Sequence, residues 1–281
     1  MPTVGELKRG CLIRFGAYSV KGESRHSIRW IKVNDNNGIF LAQYAEDYLC
    51  FDAREEKNPL DWYASFGNPQ YAVSNIHQFL NSEKDNWYRA QHEFDTSPTD
   101  RRAEGYGYYR HPGFLAFFSE KEKNALEVID VKCSRWSYDD NEEITETIPV
   151  RVFLPSFSEL YLDRGIDGDF DKREEDGWDL FKYGEFGITV RPTEEACSWA
   201  CIPSGTCRYF TRSEMPRTKE VFTVVDYDRH YGRSAIYRAG IRPAICLKPD
   251  TELTDNVAED GYYELRQAPQ NEEEFLALFG A

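Results

Sequence analysis

Residues Tyr209 to Lys248 read YFTRSEMPRTKEVFTVVDYDRHYGRSAIYRAGIRPAICLK, and this stretch decides the reading of the fold. It opens on Tyr209-Phe210-Thr211-Arg212-Ser213 and closes on Gly240-Ile241-Arg242-Pro243-Ala244. Apolar and β-branched runs predict strands at about 208–213, 220–226 and 234–248. Between the last two lies Asp226-Tyr227-Asp228-Arg229-His230-Tyr231-Gly232-Arg233, with Tyr237 and Arg238 close behind. Tyrosine offers rigid amphipathic contact area at low entropy cost, and arginine offers a planar fork of donors. Asp226, Tyr227, Asp228, Arg229, His230, Tyr231, Arg233 and Tyr237 are therefore the candidate ligand-binding residues. A plain polar hairpin tip has the same composition, so both readings stand at this point.

Arg212 and Arg242 sit inside the two flanking segments. A guanidinium within strand-rich sequence usually pairs with a carboxylate or with backbone carbonyls, which predicts a structural role for both.

Working upstream, residues 11 to 50 read as β structure. Ile28-Arg29-Trp30-Ile31-Lys32-Val33 alternates, Asn34-Asp35-Asn36-Asn37-Gly38 supplies a turn, and Ile39-Phe40-Leu41-Ala42 resumes, which predicts a hairpin. Ser74 is placed to cap a short helix through Asn81, with Ile76, Phe79 and Leu80 on one face. Ser119 and Glu122 have capping-box spacing, and Ala125, Leu126 and Ile129 extend an apolar stripe behind them. Val150 to Pro155 reads as a strand, Ser156 to Tyr161 as the start of a further short helix, and Arg191 to Ala196 as the opening of one more helical turn. The aromatic stretch 82–113, with Trp87, Tyr88, Tyr106, Tyr108, Tyr109 and His111, reads as an insertion that packs over the core or walls a binding surface. Residues 163–186 are acidic and Gly-rich, hence a loop. The tail from Pro249 is acidic, with a candidate helix at 271–279.

Composition narrows the function. The 281 residues carry 34 Lys+Arg against 49 Asp+Glu, a net charge of −15. Phosphate binding needs a basic stripe, so nucleic acid is excluded as the expected partner, and an anionic membrane is equally disfavoured. Aromatics make up 15 %, which suits a β-rich fold or a Tyr-rich contact surface. No run reaches the ~18 apolar residues of a membrane span, and the first ten residues lack a signal-like apolar core. Seven widely spread cysteines read as reduced, which predicts a cytoplasmic protein or a virion component made in the cytoplasm.

Catalytic and metal signals are weak. Asp163, Asp167, Asp169 and Asp171 alternate as calcium ligands can, but an EF-hand loop would need Gly where Lys172 stands and Glu where Trp178 stands. Cys197, Cys201 and Cys207 lack the spacing of a zinc module, and buried free thiols are expected. His26, His77, His92, His111 and His230 form no ligand-spaced pair. There is no P-loop, nucleophile elbow or Gly-x-Gly-x-x-Gly. No cofactor is expected, calcium at the acidic loop being the alternative.

Several segments, taken in order, resemble an uncharacterised bacterial and phage domain family related to the C-type-lectin-like and formylglycine-generating-enzyme-like superfamily. They are Phe15-Gly16-Ala17-Tyr18, Ile28 to Val33, Phe40 to Tyr44, Asn75 to Asn81, Phe118 to Lys123, Val152 to Ser156, Arg191-Pro192-Thr193, Tyr209 to Ser213 and Gly240 to Ala244. The closing Gly240-Ile241-Arg242 resembles the last core strand of the wider superfamily. The resemblance implies an α+β, C-type-lectin-like fold with small twisted antiparallel sheets, short helices and recognition carried by loops. Some proteins of this fold are hypervariable targets of diversity-generating retroelements, with variation concentrated before the closing strand. Two departures stand out: the insertions at 82–113 and 163–186 are long, and Phe210-Thr211 replaces Trp-Leu in the Tyr-Trp-Leu-Arg-Ser-like segment. The formylglycine-generating cysteine pair does not map onto this chain.

These readings converge on one C-type-lectin-like domain over 1–248 with an acidic extension over 249–281. The expected function is non-enzymatic recognition or display, with a protein or glycan ligand on the 226–238 loop. A formylglycine-generating-type or metal-assisted enzyme is the alternative, and a structural assembly subunit is the third.

Overall fold

Neighbouring strands in the sequence are divided between two sheets, and the chain crosses between those sheets beside Arg242. A computed structural model describes residues 1–281 except 21–24, 104, 106, 139, 163–176, 183–187, 227, 228, 255–257, 259 and 267–281; at 226, 229 and 230 it describes the backbone alone. In chain order the strands open with β1 (Leu12–Tyr18), β2 (His26–Lys32), β3 (Ile39–Ala42), β4 (Tyr44–Ala45) and β5 (Asp47–Cys50). Helices α1 (Asp61–Phe66), α2 (Asn75–Leu80) and α3 (Glu120–Ala125) follow, then β6 (Ile129–Ser137), β7 (Glu142–Val150) and β8 (Val152–Phe153). After α4 (Asp179–Lys182), β9 (Arg191–Pro192) and α5 (Glu194–Ala200) come β10 (Tyr209–Met215), β11 (Glu220–Asp226) and β12 (Arg229–Arg233). The last are β13 (Arg238–Ile241), β14 (Ala244–Cys246) and β15 (Tyr262–Glu264).

The architecture is α+β: several small sheets and a few short helices. A six-stranded sheet runs β15-β1-β2-β3-β14-β8, and a five-stranded sheet runs β12-β11-β10-β13-β5. Pairing is antiparallel within both, except β1 with β15 and β10 with β13. The predicted hairpin is there as β2–β3, with Ile31 opposite Leu41.

The predicted third strand over 234–248 is two strands. Pro243 has no N–H to give a ladder, so pairing stops between β13 in one sheet and β14 in the other. The first crossing, from β3 to β5, lies against this second one. The Pro243 carbonyl accepts from Ala42 N at 2.8 Å, and the Ile241 carbonyl accepts from Glu46 N at 2.9 Å. Gly240 is required here: a Cβ would stand 2.8 Å from Ala45 Cβ and 3.1 Å from the Arg208 carbonyl.

Capping follows the sequence. Ser74 Oγ accepts from His77 N, and Ser119 with Glu122 forms the reciprocal capping box. The stripe behind Ser119 does not continue the helix. Leu126 bridges to Leu247 and Glu127 N donates to the Cys246 carbonyl at 2.8 Å, so sheet pairing overrides local periodicity. Ile129 instead starts the β6–β7 hairpin, an element the sequence reading missed. The short helix expected to start at 156–161 is only a single 3-10 turn over Ser158–Leu160.

Trp30, Phe40, Phe51, Phe153, Tyr209 and Phe210 are wholly buried in one apolar core. The 82–113 segment covers that core. Trp87 and Tyr108 stack at 5.3 Å, and each ring meets Phe79 of α2. Past residue 248, β15 adds to the six-stranded sheet beside β1. Tyr106, the Asp163–Asp171 carboxylates and the proposed tail helix lie outside the described residues.

Candidate functional site: the arginine–tyrosine edge of the five-stranded sheet

The predicted recognition stretch is a hairpin of β11 and β12, with Thr223 opposite Tyr231 and Val221 opposite Arg233. Tyr227 and Asp228 lie outside the described residues. Asp226, Arg229 and His230 are placed by backbone only, at the ends of β11 and β12. Tyr231, Arg233 and Tyr237 are described in full, and they come together.

Tyr231 and Tyr237 are 48 % and 37 % exposed, the two tyrosines among the exposed large apolar side chains described. The Arg233 guanidinium lies 5.8 Å from the Tyr231 ring centre and 5.3 Å from that of Tyr237. A second arginine, Arg208, lies 5.4 Å from Tyr231. Its Nη1 donates to Thr223 Oγ1 at 2.9 Å, and Thr223 Oγ1 donates to the Tyr231 carbonyl at 2.7 Å. Burial first, and then the charge of Arg233, lowers the pKa of Arg208. Next along the sheet, Arg238 lies 5.4 Å over Tyr48 of β5. Burial, and then Tyr237, pushes the Tyr48 hydroxyl up to about 12.

Arg208 and Tyr48 were missed by sequence reasoning. Arg208 immediately precedes β10, two residues before Phe210, whose row runs through Thr223 to Tyr231; only that sheet pairing brings Arg208 to the site. Tyr48 is remote in sequence and reaches the site only because β5 pairs with β13.

Arg212 and Arg242 are structural, as their positions predicted. Arg212 grips Glu159 at two points and donates to the Lys132 and Leu154 carbonyls. Arg242 donates to the Ala42 carbonyl at 2.9 Å and the Ile188 carbonyl at 3.0 Å, over the Tyr209 ring.

Two clefts lie away from this edge. One, of about 310 Å³, runs past Asn37, Trp178, Glu159 and Glu214. Burial pushes the Glu214 carboxyl up to about 7, although Trp136 N and the Tyr138 hydroxyl donate to it at 3.1 and 3.0 Å. The other, of about 350 Å³, holds His26 between Glu46 at 2.7 Å and Glu195 at 3.7 Å. Glu46 is buried, which raises its pKa; the imidazole pKa is raised too, because hydrogen bonding and charge from Glu46 outweigh desolvation.

All seven cysteines are free thiols in the structure. Cys197 and Cys201 of the α5 region turn their sulfurs to the Pro203 and Ser198 carbonyls, each at 3.8 Å. Among the described residues no group of three His, Cys, Asp or Glu side chains is placed to hold a metal ion. No described helix is long and apolar enough to cross a membrane.

A family model described as a domain of unknown function, DUF6273, matches residues 36–249, which takes in both crossings and the whole arginine–tyrosine edge. No curated protein and no solved structure matches the chain.

Proposed function

The chain belongs to the DUF6273 family of domains of unknown function, and from that footing we propose that it is a non-enzymatic recognition module. It contacts a protein or glycan surface through the edge formed by Arg208, Tyr231, Arg233 and Tyr237. One observation carries the reading: Tyr231 and Tyr237 are exposed beside arginines 5.3–5.8 Å from their ring centres. Tyrosine and arginine are the residues that most often anchor binding, because each combines a large planar contact with hydrogen-bonding atoms. Held by Thr223 and by the rings, these guanidinium groups lose little freedom when a ligand docks.

The fold-level half of the proposal is a C-type-lectin-like domain, with membership among retroelement targets as its sharpest form. Its support is the Gly240–Ala244 segment, which passes from the five-stranded to the six-stranded sheet just after the exposed edge. Residence in the cytoplasm or on a virion belongs to the same reading. The alternative of a formylglycine-generating-type enzyme draws no support from Cys133, Cys207 or Cys246, whose thiols burial pushes up to about 12.

Protein and glycan arrays probed with the purified chain test the proposal. A bound feature should be lost in the Tyr231→Ala/Tyr237→Ala double variant, with melting temperature within a few degrees of the parent. Retained binding in a folded double variant refutes the assignment of this edge.

A further inference from the structure

At the edge described above two arginines stand against rings in place of carboxylates. The chain has 49 carboxylate residues for 34 Lys and Arg, yet among the described residues neither Arg208 nor Arg233 has a carboxylate partner. Arg208 has a hydroxyl and a ring; Arg233 has the Gly232 carbonyl at 3.0 Å and two rings. The two guanidinium groups also stand close enough for Arg233 to disfavour the charge on Arg208. An arriving anion would relieve that repulsion and gain charge-assisted hydrogen bonds from groups already held in place.

The backbone adds a second feature. β12 is the outermost strand of its sheet, paired with β11 on one side and with no strand on the other among the described residues. Such an edge presents N–H and C=O groups at strand spacing. Tyr231 and Arg233 are two residues apart and so project to one face.

We propose that this edge takes an extended acidic peptide, which adds beside β12 as a sixth strand and seats carboxylates on Arg233 and Arg208. The inference rests on the recognition reading above and narrows its ligand to one class. Strand addition supplies affinity through main-chain bonds, and side chains at every second position supply specificity. Arg233 stands on β12 itself, and the Arg208 guanidinium, from just before β10, comes within 5.4 Å of the Tyr231 ring of β12, so carboxylates about 7 Å apart on one face of the peptide can meet both. A glycan could meet the arginines through sulfates or carboxylates, but it would leave the β12 edge unpaired.

A random-peptide display library panned on the full chain tests this, with fluorescence anisotropy on the recovered peptides. Enrichment of Asp or Glu at alternating positions is expected. Arg233→Gln and Arg208→Gln should each weaken binding by roughly tenfold or more, the loss of a charge-assisted contact. N-methylation of alternate peptide residues should abolish it. Arg233→Gln alone decides the matter if Arg208→Gln fails to fold. No recovered peptide, peptides without acids, or affinity indifferent to folded Arg233→Gln and to N-methylation would overturn the inference. So would Arg-dependent binding of a sulfated heparin oligosaccharide in place of any peptide. Peptides that lose affinity in Tyr231→Ala but not in Arg233→Gln would overturn the acidic specificity and leave the recognition surface standing. Peptides indifferent to Tyr231, Tyr237 and both arginines would remove the surface as well.

Discussion

Arg212 and Glu159 meet in a two-point pair, Nη1 to Oε2 at 2.6 Å and Nη2 to Oε1 at 2.7 Å, with side chains only 4 % and 11 % exposed. The remaining donors of Arg212 reach Lys132 in β6 and Leu154 after β8, while Glu159 also accepts from Ser156 N at 2.7 Å. One guanidinium thus ties the β6–β7 hairpin, the 3-10 turn and β10 together. Glu159→Gln leaves a buried guanidinium without its counter-charge, and should cost roughly 3–5 kcal/mol in chemical denaturation. Arg212→Lys should cost comparably, because an ammonium cannot span both carboxylate oxygens and two carbonyls. A loss under about 1 kcal/mol for Glu159→Gln would mean that the site takes in water and the pair is not a tie.

Glu214 gives the stability a slope with pH. Its folded pKa, about 7, lies above the ordinary 4.5, so the fold favours the protonated carboxyl. The stabilisation this confers is full below about pH 4.5, declines as pH rises, and is gone once pH passes 7. The size is about 3 kcal/mol across that window. Glu214→Gln removes this contribution, so its stability relative to the parent should improve by that order between pH 4.5 and 8. Urea titrations of both proteins at several pH values measure it, and parallel curves would show that the carboxyl is not held neutral.

Gly38 presents a steric limit that the turn motif does not reveal. A Cβ there would sit 1.9 Å from the Leu247 carbonyl oxygen, which belongs to backbone just past β14 and cannot swing away. Leu247 N also donates to the Gly38 carbonyl at 2.9 Å. Gly38→Ala should therefore destabilise by roughly 1–3 kcal/mol or more through overpacking. Alanine at Gly205, where a Cβ meets nothing within 4 Å, is the matched control and should change little. Equal melting temperatures for the two variants would contradict the close approach.

How far the sequence carried these conclusions depended on the range of each signal. Ser74 and Ser119 announce helix starts because capping is decided within three residues. The β2–β3 hairpin was legible for the same reason: alternation and a Gly-containing turn are local. The helix expected to run on from Ser119 stopped at Ala125 because Leu126 found a partner at Leu247, more than a hundred residues away, and no local pattern encodes that. The β6–β7 hairpin was overlooked since its faces are largely solvated, so charged residues such as Glu142, Glu143 and Glu146 mask the apolar alternation. At the candidate site, Tyr231, Arg233 and Tyr237 were legible as a polar–aromatic cluster near one turn. Arg208 and Tyr48 join them through sheet pairing of β10 and β5, which only the fold discloses.

Thiol reactivity tests the packing beneath the arginine–tyrosine edge. Cys207 lies just before Arg208, is 8 % exposed, and has a pKa pushed by burial up to about 12; Cys133 and Cys246 are held in the same way. At pH 8 such a thiol is ionised to about one part in ten thousand, so an aromatic disulfide reagent should leave it untouched. Cys201 is exposed at the end of α5 and should react first, followed by the partly buried Cys11 and Cys197, the latter with a pKa that burial raises. The native protein should thus show a prompt fraction attributable to Cys201 by mass spectrometry, and all seven thiols should appear only in denaturant. Cys201→Ser should remove the prompt fraction without altering the melting temperature. If Cys207 were labelled as fast as Cys201, the β10 end would open in the native state and Arg208 could not serve as a pre-positioned group.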